Sequence, residues 1–281
     1  MASRIITILS AIILSATASQ AQSDSTQLWA SERKVAEIMD KCLKASDDPH
    51  KTAYATEAAN ELEYLLNMPL AYNYALPYIK NISSAESADG RVRVITFGIQ
   101  LTANKYIYHG FVMHNDDGDI TVTRLKQGKR PERDPMNANM QSNNWFGAIY
   151  YEIATFGPAN SPIYALCGWD GADMYTNRKV LEQMNFDEDN TPIFGGLFQT
   201  EKGNGFSRIV FTFNEKAVMS LRYNKKMKMI TGDYLALPRG MPIQLKDNER
   251  YFGPDGSCNG YFYKNGTWHL IQDVEVKWDD K

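Results

Sequence analysis

The residues best suited to chemistry lie in one short stretch, GWDGADMYTNRKVLEQM, from Gly168 to Met184. It brings an aromatic ring, a carboxylate and a guanidinium close together, on Trp169, Asp170 and Arg178. We predict these three as binding residues, with the two charged side chains able to form an ion pair. The same residue types also suit a tight turn that leads into a predicted helix over 177–184. In that case their role is architectural and involves no ligand.

A second stretch matches a catalytic motif by its letters. Residues 256–260, GSCNG, have the G-x-C-x-G spacing of a nucleophile elbow around Cys258. That elbow requires a buried strand leading into a helix, so that the nucleophile is exposed at a strained turn. Here a hairpin follows instead, and a glycine-rich loop is predicted. No G-x-S-x-G occurs, so the sequence predicts no catalytic residue.

Metal sites find equally little support in the sequence. His109 and His114 are five residues apart, which places them on opposite faces of a strand. His109 shares its face with Phe111 and is expected to be a hydrogen-bonded core histidine. The acidic clusters 116–119 and 187–190 lack the spacing of a calcium-binding loop and are predicted as solvated turns, the first of them a tight hairpin turn. We therefore predict no metal and no cofactor.

Carboxylates and tyrosines leave two function classes open. A glycosidase needs two carboxylates in one cleft, and among 33 acidic residues we consider Asp170 paired with Asp233 or Asp255. Tyr106 and Tyr108 lie on the strand face opposite Phe111, so that exposed rings could stack on a sugar. Whether the protein is an enzyme stays open, with a binding role preferred.

Two helical patterns precede the segments that carry these residues. Apolar residues recur at helical spacing from Val35 to Leu43 and again from Ala55 to Leu66. Predicted strands rich in β-branched and aromatic residues, such as RIVFTFN over 208–214, then alternate with turns such as Asn265-Gly266. Short turns between successive strands favour antiparallel pairing. We predict an α+β fold in which N-terminal helices are packed against a large, mostly antiparallel β region.

This pattern divides the chain into three parts. Residues 1–21 are a predicted signal peptide, 22–84 a helical segment, and 85–281 a β-rich region with a candidate internal boundary at 126–144. The leader has Arg4, then an apolar run and small residues before Ala21. Its apolar run is shorter than the roughly 20 residues that cross a bilayer. We expect cleavage near Ala21 and a soluble periplasmic or secreted protein without a transmembrane span.

Charge and cysteine content narrow the partners further. The chain has 30 basic and 33 acidic residues, a formal charge of -3, and its densest basic stretch, 126–133, is expected to be a solvated loop. Nucleic acid is therefore not an expected partner. The cysteines, Cys42, Cys167 and Cys258, allow one disulfide in an oxidising compartment, and whether any of them pair stays open.

Several stretches resemble a family of exported, signal-peptide-bearing proteins of Bacteroidota-type bacteria. They are RVRVITFGIQL, YALCGWDGADMYTNRKVLEQM, FGGLF, RIVFTFNEKAVMSLRY and YFGPDGSCNGYFYKNGTW. The resemblance covers nearly the whole mature chain and implies a Gram-negative envelope or secreted location. It carries no catalytic residues over, because none is established for that family. Asp24-Ser25-Thr26 is similar to the O-glycosylation acceptor of such bacteria, so Ser25 and Thr26 are predicted modification sites.

From the sequence we expect an exported soluble protein that acts as a non-catalytic binding or envelope-associated module. Its expected partner is a glycan, a peptide or an envelope protein. The alternative is a hydrolase of extracellular polymer, glycan or peptide, that uses carboxylates near Asp170.

Overall fold

The computed structural model describes residues 24–102, 105–129, 136–137, 141–201 and 203–277, and for residue 204 the backbone alone. The predicted signal peptide and its cleavage site lie outside the described residues, as does part of the basic stretch 126–133. Contacts divide the chain into two compact units, Met1–Lys80 and Asn81–Lys281. The second unit includes the 126–144 segment that the sequence suggested as an internal boundary.

Two helices form most of the described part of the first unit, α1 over 24–44 and α2 over Asp48–Leu66. Asp47 caps α2, because its carboxylate accepts a hydrogen bond from the backbone N–H of His50 at 2.9 Å. The buried residues of α2 recur at helical spacing from Ala55 to Leu66. The two helices predicted from such spacing are confirmed. No described helix combines the length and the apolar character that a bilayer span needs.

A buried carboxylate holds the segment that follows α2. Glu32 is fully buried and accepts hydrogen bonds from the Tyr74 hydroxyl at 2.5 Å and from the backbone N–H groups of Tyr78 and Ile79 at 2.5 and 3.2 Å. This segment contains the short 3-10 helix Ala71–Asn73. Three donors offset the cost of burying the charge, so Glu32 fixes a chain that its prolines prevent from continuing the helix.

The second unit begins with a four-stranded antiparallel meander, here called the first sheet. Its strands, in sheet order, are β1 (Ser83–Glu86), β2 (Val92–Gln100), β3 (Tyr106–Asp116) and β4 (Asp119–Leu125). The β3–β4 turn adopts positive φ at Asp117 and Gly118, 52° and 105°. This confirms the tight turn predicted from the acidic cluster.

The second sheet, here called the middle sheet, packs against the first sheet. Its strands, in sheet order, are β11 (Arg208–Asn214), β7 (Thr176–Phe186), β6 (Ile163–Asp170) and β5 (Ile149–Phe156), with the short β8 (Pro192–Phe194) pairing with β7. All of these pairs are antiparallel. In the described residues, β11 pairs with β7 alone, so β11 and β5 are the two edges of this sheet.

The third sheet contains the remaining strands. In sheet order they are β10 (Gly203–Phe206), β9 (Phe198–Thr200), β15 (Thr267–Ile271), β14 (Gly253–Lys264), β13 (Met229–Ala236) and β12 (Leu221–Asn224). Only the contact between β15 and β9 is parallel. The β14–β15 hairpin turns at Asn265 and Gly266 with φ of 50° and 82°, which confirms the predicted two-residue turn.

Two apolar cores join these sheets into three layers. The first core lies between the first and middle sheets and includes Val94, Tyr108 and Leu166. The second lies between the middle and third sheets and includes Leu181 and residues of β13, β14 and β15. Alternate residues of β6 and β7 enter one core or the other, so the middle sheet is buried on both faces. The predicted α+β class, with N-terminal helices and a large, mostly antiparallel β region, is confirmed.

One predicted element is wrong: residues 177–184 form part of strand β7 rather than a helix. The apolar residues Val180, Leu181 and Met184 match a helical stripe by spacing. In the structure the first and third enter the first core, and Leu181 enters the second core. A strand buried on both faces does not alternate simply between apolar and polar, so its pattern resembles that of a helix.

Two smaller expectations also differ from the structure. Tyr108, expected on an exposed face, is 2% exposed in the first core, and Tyr106 is half-buried against that core. The reason is that the β3 face opposite Phe111 packs against the middle sheet. Residues 256–260 were predicted as a glycine-rich loop but lie within β14, where Cys258 pairs with Asp233.

An ion pair lies inside the first core. Arg208 donates from Nε to Glu182 Oε1 at 2.7 Å, and both side chains are fully buried. The other carboxylate oxygen accepts a short hydrogen bond from the Tyr150 hydroxyl, which in turn accepts from Trp145 Nε1 at 3.0 Å. Burial and the adjacent Glu182 raise the pKa of Tyr150 well above its usual value, so its hydroxyl stays a donor. This cluster replaces water as the partner of the buried charges.

We predict that Glu182→Gln lowers the free energy of unfolding by about 3–5 kcal/mol, because the buried Arg208 then lacks its counter-charge. Denaturant unfolding of the mature chain measures this. Glu188→Gln is the matched control: it removes one charge from an exposed turn and should change stability by less than about 0.5 kcal/mol.

The double variant Glu182→Leu/Arg208→Met should be less destabilised than either single change, because it buries no unpaired charge. Equal stability of Glu182→Gln and Glu188→Gln would show that the ion pair does not support the fold.

Candidate ligand-binding cleft

The three predicted binding residues meet at one end of the middle sheet. Trp169 and Asp170 end β6, and Arg178 lies opposite Asp170 on β7. The guanidinium Nη1 is 3.5 Å from Asp170 Oδ2, so the expected ion pair is present. Trp169 packs edge-on against Tyr106, with ring centroids 5.5 Å apart.

Asp170 is fully enclosed by protein partners. Its Oδ1 accepts hydrogen bonds from the Tyr108 hydroxyl at 2.9 Å and from the backbone N–H of Ala172 at 3.1 Å. The same hydroxyl accepts from the backbone N–H of Gly171 at 2.9 Å. Burial, together with the charge of Asp170, raises the pKa of Tyr106. This carboxylate fixes the β6–β7 turn against β3, which favours the architectural role over direct ligand contact.

The carboxylate pairs considered from the sequence are not brought together. Asp170 faces the first sheet through Tyr108, whereas Asp233 and Asp255 belong to the third sheet on the other side of the middle sheet. Asp233 accepts a hydrogen bond from the backbone N–H of Ser220 at 2.7 Å. Hydrogen bonds from the backbone and side chain of Ser257 lower the pKa of the exposed Asp255.

Neither His109 nor the cysteines offer an activated group. Burial, with Arg124 nearby, lowers the pKa of His109 to about 4, so the ring is neutral near pH 7. All three cysteines are free, and burial raises the pKa of each thiol. A thiol whose pKa is raised is a poor nucleophile. Within the described ranges, no group of three or more His, Cys, Asp or Glu side chains is placed to hold a metal ion.

A cleft of about 200 Å³ opens beside β11, between the middle and third sheets. Its floor is apolar, with Leu235 of β13, Tyr261 of β14 and Leu270 of β15. One wall is the β11 segment 209–212, and Phe252 lies at one end. Tyr261 meets the ring of Phe211 edge-on at 6.0 Å, and burial raises its pKa, so it presents a neutral ring.

Carboxylates give this cleft its charge. Asp233, Glu249 and Glu201 are among its lining residues, and no described lining residue is basic. Asp233 and Glu249 are half-buried, while Glu201 is exposed and accepts a hydrogen bond from Gln272 at 2.8 Å. The cleft therefore joins an apolar floor to a negative rim, which favours a ligand with apolar and cationic groups.

The β11 wall of the cleft has an open backbone edge. Arg208 and Asn214 donate their backbone N–H groups away from β7, so by strand alternation the even-numbered residues of β11 point away from β7 and the odd-numbered ones bond to it. Two of these outward N–H groups are paired: Arg208 donates to Met136 O at 3.3 Å and Asn214 to Phe252 O at 2.9 Å. Between them lie Val210 and Thr212, whose N–H and C=O groups have no hydrogen-bond partner among the described residues.

The sequence predicted β11 with its bounds, 208–214, but not the cleft beside it. The strand is an apolar run with no sign of which edge stays unpaired, because neighbours such as Leu270 and Phe252 come from distant parts of the chain.

Comparison of the chain with protein-family models, with curated proteins and with solved structures gives no match. The functional argument therefore depends on the geometry of the cleft.

We predict that Asp170→Asn destabilises the protein by about 1–3 kcal/mol, because it removes the charge that offsets Arg178 inside a buried hydrogen-bond network. Thermal or denaturant unfolding measures the loss. Asp189→Asn, an exposed change of the same kind, is the control. If the two variants prove equally stable, Asp170 has no architectural role and the binding interpretation gains weight.

Proposed function

We propose that the protein is an exported, non-catalytic binding module whose ligand lies in the cleft beside β11. The cleft itself carries this proposal, because it combines an apolar floor, a rim of carboxylates and an open backbone edge. Ligand sites in proteins are typically concave and largely apolar, with a few polar groups that orient the ligand. The expected ligands remain a glycan, a peptide or a segment of an envelope protein.

The proposed location rests on the leader sequence. Cleavage after Ala21 would release the mature chain into the periplasm or outside the cell. Ser25 and Thr26 lie in the first turn of α1 with exposed side chains, which supports their role as glycosylation acceptors. Intact-mass analysis of the exported chain would test both points.

The alternative is hydrolysis of an extracellular polymer in the same cleft. Three lining carboxylates favour it, since a glycosidase needs two. These acids lie on the third sheet and its loops, away from the Asp170 region that the sequence suggested. Asp233 already accepts a hydrogen bond from the chain, which argues for a fixed structural charge.

We predict that Leu235→Arg lowers ligand binding at least about tenfold, because it puts a long charged side chain on the apolar floor. Binding is measured with the immobilised mature chain, 22–281, on a glycan array and against displayed peptides. Val218→Arg is the control: it adds the same charge at a side chain that is 87% exposed and does not line the cleft.

Equal binding by wild type and Leu235→Arg would place the ligand elsewhere. Release of sugars or peptides from a polymer by wild type, lost in Glu249→Gln but kept in Glu188→Gln, would instead support the hydrolase. A thermal-melting curve for each variant shows whether it is folded before its binding is compared.

A further inference from the structure

The open edge of β11 has the spacing of an extended chain. Val210 and Thr212 each present one N–H and one C=O group toward the cleft. Residues two apart on a strand are separated by about 7 Å, which is also the repeat of any partner strand. A peptide laid along this edge could therefore bond to both residues in register.

Both ends of this edge are closed by the chain itself. Met136 O accepts from Arg208 at one end, and Phe252 O accepts from Asn214 at the other. Seven residues of β11 span the gap, or roughly 20 Å. The opening thus has room for a short extended segment, whereas a long strand would meet both closed ends.

The floor of the cleft suits alternate side chains of such a segment. Ile209 and Phe211 point toward the third sheet, in the second core. Side chains of an added strand that point the same way would lie over Leu235, Tyr261 and Leu270. Every second residue of the bound segment should therefore be apolar.

Charge sets the third requirement. Glu249 begins the 3-10 helix Glu249–Tyr251, directly before Phe252, and so marks the end of the cleft near Asn214. Glu201 adds negative charge, and the described lining contains no cation. The carboxylate of Asp233 contributes less, because it accepts a hydrogen bond from the backbone of Ser220 and also lines a second cavity with Arg222. A lysine or arginine in the bound segment would meet complementary charge.

We infer that the cleft binds an extended peptide segment, with alternating apolar residues and a lysine or arginine, as an added strand on β11. This rests on the proposed function, which places the ligand in the cleft. A glycan would not need paired backbone groups at a two-residue repeat. A second copy of this chain would present an identical recessed edge and the same negative charge, so the two edges would not meet.

The test begins with selection from a displayed library of random twelve-residue peptides on the mature wild-type chain, after depletion on Leu235→Arg. Synthetic copies of the enriched peptides are then measured by fluorescence anisotropy against wild type, Leu235→Arg and Val218→Arg. The expected peptides carry apolar residues at every second position and at least one lysine or arginine. They should bind Leu235→Arg at least about tenfold more weakly than the other two proteins.

An N-methyl scan of the best peptide identifies the binding mode. Strand addition predicts that methylation at every second amide weakens binding about tenfold or more, while methylation of the amides between them has little effect. Glu249→Gln should weaken binding about two- to fivefold, with a smaller salt dependence, and Glu188→Gln should not.

Two results would overturn the inference. One is that no enriched peptide prefers wild type over Leu235→Arg. The other is binding without the two-residue period in the N-methyl scan. If a glycan binds in a manner sensitive to Leu235→Arg while peptides do not bind, the proposed function stands and the peptide is excluded. If neither class depends on Leu235, both proposals fail.

Discussion

The middle sheet is covered on both faces, and this constraint determines most of the second unit. Its buried side chains cannot reach water, so each polar group among them needs a protein partner. Glu182 and Arg208 meet this need directly, since they lie opposite each other on β7 and β11 and share the first core with Tyr150 and Trp145. A charge pair in this position fixes the pairing of β7 with β11, because a shift of one residue would carry a charge into the second core.

Closed faces leave only the two edges of the middle sheet for interaction, and the edges differ. At β5 both backbone groups of Tyr150 are paired with the first sheet: its C=O accepts from the Ser83 hydroxyl, and its N–H donates to the Thr96 hydroxyl. Glu152 of β5 accepts a hydrogen bond from the backbone of Tyr223 in the third sheet. The first sheet therefore closes the β5 edge at Tyr150, and Glu152 connects β5 to the third sheet. At β11 the neighbouring chain closes only the ends, which leaves the stretch between them open to a partner.

Local signals predicted local features. Turn-forming residues predicted both hairpins, and the structure has positive φ at those turns. The run RIVFTFN predicted β11 with its bounds. Both features depend on only a few adjacent residues. The helix over 177–184 was wrong for a nonlocal reason, namely burial of β7 on both faces. The role of Asp170 was equally hidden, because its main partner, Tyr108, lies 62 residues away. The cleft depends on strands from four parts of the chain, and the sequence contains no local sign of it.

An open strand edge is normally a hazard, because any other strand can pair with it and begin aggregation. Here the hazard is limited by the same features that suit a peptide. Met136 and Phe252 restrict the open stretch to Val210 and Thr212, and the third sheet lies beneath it. A second sheet would therefore meet the closed ends and the layer beneath, whereas the proposed ligand is a single extended chain. The carboxylates at the rim further disfavour an acidic chain such as this protein itself, whose formal charge is -3. An edge that disfavours sheets and acidic chains, yet keeps its backbone groups available, would select among partners independently of the ligand's individual side chains.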